Sequence, residues 1–177
     1  CFVKPANAGS SVGITKAHDK EELIEGLRLA AEHDSKIVVE QGIVGRDIEC
    51  AVLGNRDHVE ASCVGEIFAA AEFYDYDAKY NNSDSKTVVP AEISKEKEDE
   101  IRKIAVKVFK AVDGSGLARV DFFVEKDTEN VIFNELNTLP GFTPISMYSM
   151  LWAACGKPMN VLLDELIDLA LERFGIK

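Results

Sequence analysis

The chain lacks the features that mark several protein classes. Its 177 residues hold only four cysteines, Cys1, Cys50, Cys63 and Cys155, with no CxxC pair and no histidine nearby at zinc-ligand spacing. This pattern excludes a disulfide miniprotein and a zinc module, and leaves free thiols in a reducing compartment. Basic residues are outnumbered, 20 against 31 acids, for a net charge of -11. That field argues against nucleic-acid or membrane-surface binding, so any bound phosphate must be gripped locally. No apolar run approaches the roughly 18 to 20 residues of a membrane span, and Cys1-Phe2-Val3-Lys4-Pro5 lacks the apolar centre of a signal peptide. The cytoplasm is the expected setting, where the Asn81-Asn82-Ser83 sequon is inert. The chain begins without Met and directly in a strand-like run, which points to something removed upstream.

Familiar chemical signatures are missing as well. The GxxxxGK[ST] spacing of a Walker loop is absent, and Gly114-Ser115-Gly116 has no third glycine and follows a helical pattern, so the dinucleotide fingerprint fails. His18, His33 and His58 sit at expected turns or helix ends, and no nucleophile pairs with them by spacing. No internal repeat and no low-complexity tract occurs.

What remains is 46% hydrophobic sequence, enough for one domain or two small subdomains sharing a core. Phe2 to Lys4 reads as a strand, then Ala8 to Gly13 as a small-residue loop. A helix is expected from Lys20 to His33, with Asp19 as N-cap and Glu22 completing a capping box. Lys36 to Glu40, Asp47 to Leu53 and His58 to Ile67 have the β-branched content of strands, with a turn at Gly54-Asn55. Glu72 to Pro90 shows neither period and reads as one long, aromatic-rich loop of functional type. Ser94 caps a second helix running to Val112, whose Ile101, Ile104, Ala105, Val108 and Phe109 share a core-facing stripe. Leu117 to Glu125 and Asn130 to Leu136 form a strand pair across residues 126 to 129, and helices near Ile145 to Cys155 and Pro158 to Phe174 close the chain. Antiparallel hairpins with segregated helices define an α+β class.

The late strand pair carries the sharpest constellation. A side-chain period of two puts Arg119 and Asp121 on one face of their strand, and Glu135 and Asn137 on one face of the partner. Adjacent strands gather Asp121, Glu135 and Asn137, an all-oxygen set suited to a hard ion such as Mg²⁺. A solvated sheet face with Arg119 paired to an acid fits the same spacing. The Gly9 to Gly13 loop brings backbone N–H groups toward phosphate oxygens or serves as a plain connector. Lys79-Tyr80 places a cation and a phenol in the long loop, as a lid over a transferring phosphoryl group or as solvated residues.

Four segments in one order resemble the D-alanine:D-alanine ligases of the ATP-grasp superfamily. They are Phe2-Val3-Lys4-Pro5 with Gly9-Ser10-Ser11-Val12-Gly13; Phe73-Tyr74-Asp75-Tyr76-Asp77-Ala78-Lys79-Tyr80; Gly116-Leu117-Ala118-Arg119-Val120-Asp121-Phe122; and the run from Asn134 to Thr143. The resemblance spans the whole chain but only the C-terminal half or so of a family member, the N-terminal domain having no counterpart. It implies an ATP-grasp fold with mixed or antiparallel sheets, divided into 1–45, the latter part of the central subdomain, and 46–177, the C-terminal subdomain.

By the resemblance, Lys4 and Lys79 reach ATP phosphates, Glu40, Gln41 and Ile43 meet adenine, Asp47 holds the ribose, and Phe73 and Phe123 wall the adenine pocket. Asp121, Glu135 and Asn137 match ligands of two Mg²⁺ ions, with Mn²⁺ as an alternative. Arg119 and the N–H of Gly141 match an oxyanion-stabilising pair, and Ser146 and Met147 a grip on the second substrate's carboxylate. Ser10 and Tyr80 match a pair that closes the loop over the site.

The implied reaction in the bacterial cytoplasm joins two D-alanines through a D-alanyl phosphate, at the expense of ATP, for peptidoglycan synthesis. The parent protein is expected to be a homodimer and the isolated chain inactive. The alternatives are a D-alanine:D-serine or D-alanine:D-lactate ligase, or an inert nucleotide-binding fragment; Lys79-Tyr80 favours an amine acceptor over lactate. The chain departs from the family pattern at Gln41, Asp47 and Ser149, where lysine, glutamate and proline are usual.

Overall fold

Two compact units organise the chain, one built on Cys1–Val44 and the other on Gly45–Ile67 with Thr87–Lys177. The structure, a computed structural model, describes residues 1–7, 12–68 and 86–175. The expectations for Ser10, Phe73, Lys79 and Tyr80 lie outside the described residues.

The first unit is a three-stranded sheet, β1 (Phe2–Pro5), β2 (Thr15–Lys16) and β3 (Ile37–Glu40), with helix α1 (Lys20–His33). The strand order is β2-β1-β3, and both pairings are antiparallel. Its core is small: Val3, Ala17 and Ala30 are buried, and Leu23, Leu27 and Ile37 pack on them. Local hydrogen bonds define the helix ends. The Asp19 carboxylate accepts the Glu22 N–H at 2.8 Å, as the cap pattern predicts. The Glu22 carboxylate accepts the N–H of His18 at 2.7 Å, one residue before the N-cap, so the reciprocal half of the box is shifted outward. At the other end Asp34 accepts N–H groups of Asn7 (2.8 Å) and Lys36 (3.0 Å), tying both flanking segments to the helix terminus. Strand β2 is too short to carry a periodic signal in the sequence.

The second unit contains β4 (Gly45–Asn55), β5 (His58–Phe68), β6 (Lys86–Val88), α2 (Lys95–Ala111), β7 (Ser115–Glu125), β8 (Val131–Asn137), α3 (Met147–Ala154) and α4 (Met159–Phe174). Its sheet runs β6-β5-β4-β7-β8, and the β4–β5, β4–β7 and β7–β8 pairings are antiparallel. Period-two alternation gives β4 two apolar faces. Cys50 and Val52 meet Ile101, Ala105 and Phe109 of α2, while Ala51 and Leu53 meet Tyr148, Leu151 and Trp152 of α3 and Leu162 of α4. Helices therefore cover both faces, so the long strands read as nearly continuous hydrophobic runs. Ser94 caps α2 by accepting the Lys97 N–H at 3.2 Å. A Cβ on Gly65 would lie 2.6 Å from Met147 Sδ, so the thioether at the start of α3 packs directly against the β5 backbone.

Two expectations change. The β4–β5 turn falls on Arg56-Asp57 rather than Gly54-Asn55: Asn55 pairs with His58, and Arg56 adopts a φ of 49°. The stretch read as one loop to Pro90 contains β6 at Lys86–Val88, three residues whose pairing with the sheet is a tertiary matter.

Irregular positions are satisfied by side chains. Register shifts between Cys50 and Val52, and the Ala51 N–H donates to the buried Ser62 hydroxyl at 3.0 Å. Asn55 joins the far end of the sheet to α4, donating to the Leu169 carbonyl at 2.8 Å and accepting from the Ser115 hydroxyl at 2.5 Å.

Candidate active site

Strands β4, β7 and β8 bring their polar positions into register. Glu49 lies opposite Asp121, Asp121 opposite Glu135, and Arg119 opposite Asn137. All occupy the sheet face that continues into Ala51, Leu53 and Leu117, beyond the apolar cover of α3 and α4. A bulge after Asp121 changes the register beyond this point.

Arg119 is the hub. Its Nε and Nη2 donate to both oxygens of Asp121 at 2.8 and 2.7 Å, and Nε lies 2.9 Å from a Glu49 oxygen. Asn137 Nδ2 donates to Asp121 at 2.9 Å and to Glu135 at 3.2 Å. Asp121 and Glu49 are buried, 8% and 7% exposed, whereas Glu135 is exposed. Burial works against the Arg119 charge, but the hydrogen bonds to Asp121 and the charges of Glu49, Asp121 and Glu135 together outweigh it and raise the guanidinium pKa. The result is a fixed cation held by two acids.

The two readings of this strand pair meet here. Arg119 does pair with an acid, and the same pairing assembles the oxygen donors. Asp121, Glu135 and Asn137 supply two carboxylates and an amide whose Oδ1 and Nδ2 exchange by a flip, a donor set that fits Mg²⁺. Among the described residues no group of three or more His, Cys, Asp and Glu is placed to hold a metal ion.

Sequence reasoning missed Glu49. Its signal was the alternation Asp47-Ile48-Glu49-Cys50, but only the non-local β4–β7 pairing aims it at Arg119.

Other expected residues are placed as follows. Lys4 Nζ lies 2.7 Å from Glu40 in a half-exposed pair between β1 and β3. Gln41 and Ile43 line a cavity of about 410 Å³ with Phe2, Lys16 and Val44. In the second unit Asp47 and Phe123 are directly paired across β4 and β7. Ser146 Oγ accepts the Thr143 N–H at 3.1 Å, and a Cβ on Gly141 would lie 2.9 Å from that oxygen, so a side chain there would press on the hydroxyl. Met147 is buried in the core, leaving its backbone N–H as the group at the start of α3.

The fold, by its likeness to solved ligase structures, is that of an ATP-grasp protein. A protein-family model described as "D-ala D-ala ligase C-terminus" matches residues 1–168. The chain is 58% identical over 174 residues to a D-alanine–D-alanine ligase of Acetivibrio thermocellus, covering 98% of this chain and 46% of that protein. It is 56% identical to D-alanine–D-alanine ligase B of Clostridium tetani, covering 96% of this chain and 47% of that protein. The solved VanG D-Ala:D-Ser ligase from Enterococcus faecalis superposes with a TM-score of 0.85 at 43% identity, over 95% of this chain and 48% of that one. The D-alanine–D-alanine ligase from Coxiella burnetii gives 0.84 at 40% identity, over 97% and 45%. The chain belongs to the D-alanine–D-alanine ligase family, in its C-terminal portion. It spans about half the length of the curated relatives it matches.

Proposed function

We propose that this chain is the ATP-using portion of a bacterial ligase that joins two D-alanines for peptidoglycan synthesis. The observation that carries the reading is the Glu49–Arg119–Asp121 cluster with Glu135 and Asn137 beside it. In the first step a carboxylate oxygen of one D-alanine attacks the γ-phosphorus of ATP, the bond from that phosphorus to the β–γ bridging oxygen breaks, and ADP leaves with the oxygen. In the second, the amine of another D-alanine attacks the acyl carbon, and inorganic phosphate leaves. Arg119 and the Gly141 N–H stabilise the tetrahedral oxyanion, a contribution typically worth about 3 to 4 kcal/mol. The acids that fix Arg119 also keep it charged.

Lys4 and Lys79 offset phosphate charge. Lys4 reaches phosphate by exchanging Glu40, a partly exposed partner. Glu40, Gln41 and Ile43 hold adenine, with the cavity beside Gln41 and Ile43 in support. Asp47 takes the ribose, and Phe73 and Phe123 flank the ring. Ser146 and the Met147 N–H hold the second D-alanine's carboxylate, while Ser10 and Tyr80 close the loop. Asp121, Glu135 and Asn137 would hold Mg²⁺, which supplies charge neutralisation at the phosphates.

No described helix is long and apolar enough to cross a membrane, which agrees with action in the bacterial cytoplasm, as a homodimer of the full-length protein. A second reading, D-serine as acceptor, is favoured by the likeness to the D-Ala:D-Ser ligase. The test supplies the full-length protein with Mg-ATP and equimolar D-alanine, D-serine and D-lactate, and identifies products by mass spectrometry. D-alanyl-D-alanine is expected to predominate. D-alanyl-D-serine would move the protein to the second reading, and absence of any product would refute both. The isolated 177-residue chain is expected to form no dipeptide.

A further inference from the structure

Two of the four cysteines meet at the end of α3, on elements far apart in sequence. Cys63, half-buried on β5, donates its backbone N–H to Cys155 Sγ at 3.0 Å across a separation of 92 residues. Both cysteines gather on one carbonyl: Leu151 O lies 3.6 Å from Cys63 Sγ and 3.2 Å from the Cys155 N–H. Cys155 is exposed at the C-cap of α3. Of the other two, Cys50 is fully buried on the α2 face of the sheet and Cys1 belongs to the first unit.

We propose that Cys63 and Cys155 form a covalent-modification site, in which Cys155 captures an oxidised low-molecular-weight thiol and Cys63 resolves the adduct into an intramolecular disulfide. The Cys155 thiolate attacks one sulfur of the small disulfide, making a mixed disulfide and expelling one small thiolate. The Cys63 thiolate then attacks the Cys155 sulfur and expels the second. Two protein thiols are oxidised, one small disulfide is reduced, and the two protons pass to the departing thiolates.

The order follows from access and acidity. Cys155 faces solvent, whereas burial, followed by the hydrogen bond to Cys155, pushes the Cys63 thiol up to about 12. Cys63 is therefore a slow attacker at neutral pH, and the mixed disulfide persists before closure. Closure ties β5 to the end of the helix whose start carries Ser146 and Met147.

Oxidised glutathione is the probe, added to the folded chain, with thiols counted by alkylation under denaturing conditions and links mapped by peptide mass spectrometry. In a Cys1→Ser background, which removes the other exposed thiol, the titratable thiols should fall from three to one, with a Cys63–Cys155 link reversed by dithiothreitol. Closure of the preformed adduct should speed up about tenfold per pH unit, because the thiolate fraction grows so below the pKa. Cys63→Ser should stop at a stable glutathione adduct on Cys155, and Cys155→Ser should form no internal link. In that background a count that stays at three, a different linked pair, or a Cys155 adduct that never closes at high pH would overturn the proposal.

Discussion

The two units use charge in opposite ways. In the first, Lys4 and Glu40 form a single pair with side chains 22% and 38% exposed. In the second, Arg119 is held by Glu49 and Asp121, with side chains 20%, 9% and 12% exposed, and Asn137 adds a further bond to Asp121. Water competes for the first pair and barely reaches the second. A half-exposed pair is readily exchanged for a ligand, while a buried network resists change because removing Arg119 leaves two buried acids without their cation and removing an acid leaves buried donors without acceptors. The first arrangement suits the exchange of Glu40 for phosphate that is proposed for Lys4; the second suits the fixed position proposed for the Arg119 guanidinium. The cores differ likewise, three buried residues against the two larger clusters flanking β4.

The strongest way to break this contrast is to remove Asp121. Asp121→Ala removes the two hydrogen bonds that Arg119 makes to that carboxylate and one acceptor of Asn137, leaving the Arg119–Glu49 contact in place. Three donor contacts lose their acceptor, at about 1 to 3 kcal/mol for each buried group left unsatisfied, so a total of about 3 kcal/mol or more is expected. Urea unfolding followed through Trp152, buried in the second unit, is the measurement. A loss below about 1 kcal/mol, the range of surface pairs, would mean that the cluster is solvated after all.

A smaller effect is expected at the β4 irregularity. The hydroxyl of Ser62 accepts the Ala51 N–H and donates to the Cys63 carbonyl at 2.6 Å, with Ser62 fully buried. Ser62→Ala strands that N–H in the core and should destabilise the second unit by about 1 to 3 kcal/mol. Ser62→Thr keeps the hydroxyl, and comparing the two melting curves separates the lost bond from any change in packing.

Legibility in the sequence follows the same divide between local and distant contacts. Arg119, Asp121, Glu135 and Asn137 were readable because a period of two and one short turn suffice to align β7 with β8. Helices α1 and α2 announced themselves through Asp19 and Ser94, whose caps act within three residues. Glu49 was not readable, since β4 meets β7 only after a long intervening stretch of chain. The Ser62–Ala51 bond and the short strands β2 and β6 depend equally on tertiary pairing. The turn at Arg56-Asp57 was misassigned because glycine is the stronger turn signal, yet Gly54 remains paired with Val59.

Acid should act on α1 through its two ends. Hydrogen bonds from the His18 N–H and side chain lower the Glu22 pKa, and those from the Lys36 N–H and the Asn7 side chain lower that of Asp34. A carboxylate with a lowered folded-state pKa stabilises above its unfolded value, near pH 4, and loses that contribution as pH falls through the folded value. Helix α1 should therefore fray below about pH 4, read as loss of its backbone NMR dispersion. The Glu22→Gln variant should flatten that transition; an unchanged profile would remove Glu22 from the account.

The least effect is expected where the contrast is most informative. Glu40→Gln removes the charge that faces Lys4, but the side chains at this position are partly hydrated in the folded protein. Exposed pairs contribute about 0 to 1 kcal/mol, and salt screens them over about 8 to 10 Å at physiological ionic strength. The variant should therefore shift the thermal midpoint of the first unit only slightly, and raising the salt should shrink the difference between variant and parent. A loss of about 2 kcal/mol or more, beyond the surface-pair range and insensitive to salt, would make the pair structural. Lys4 could then not leave Glu40 for a phosphate without loosening β1 from β3, and the division between an exchangeable cation in one unit and a fixed one in the other would fail.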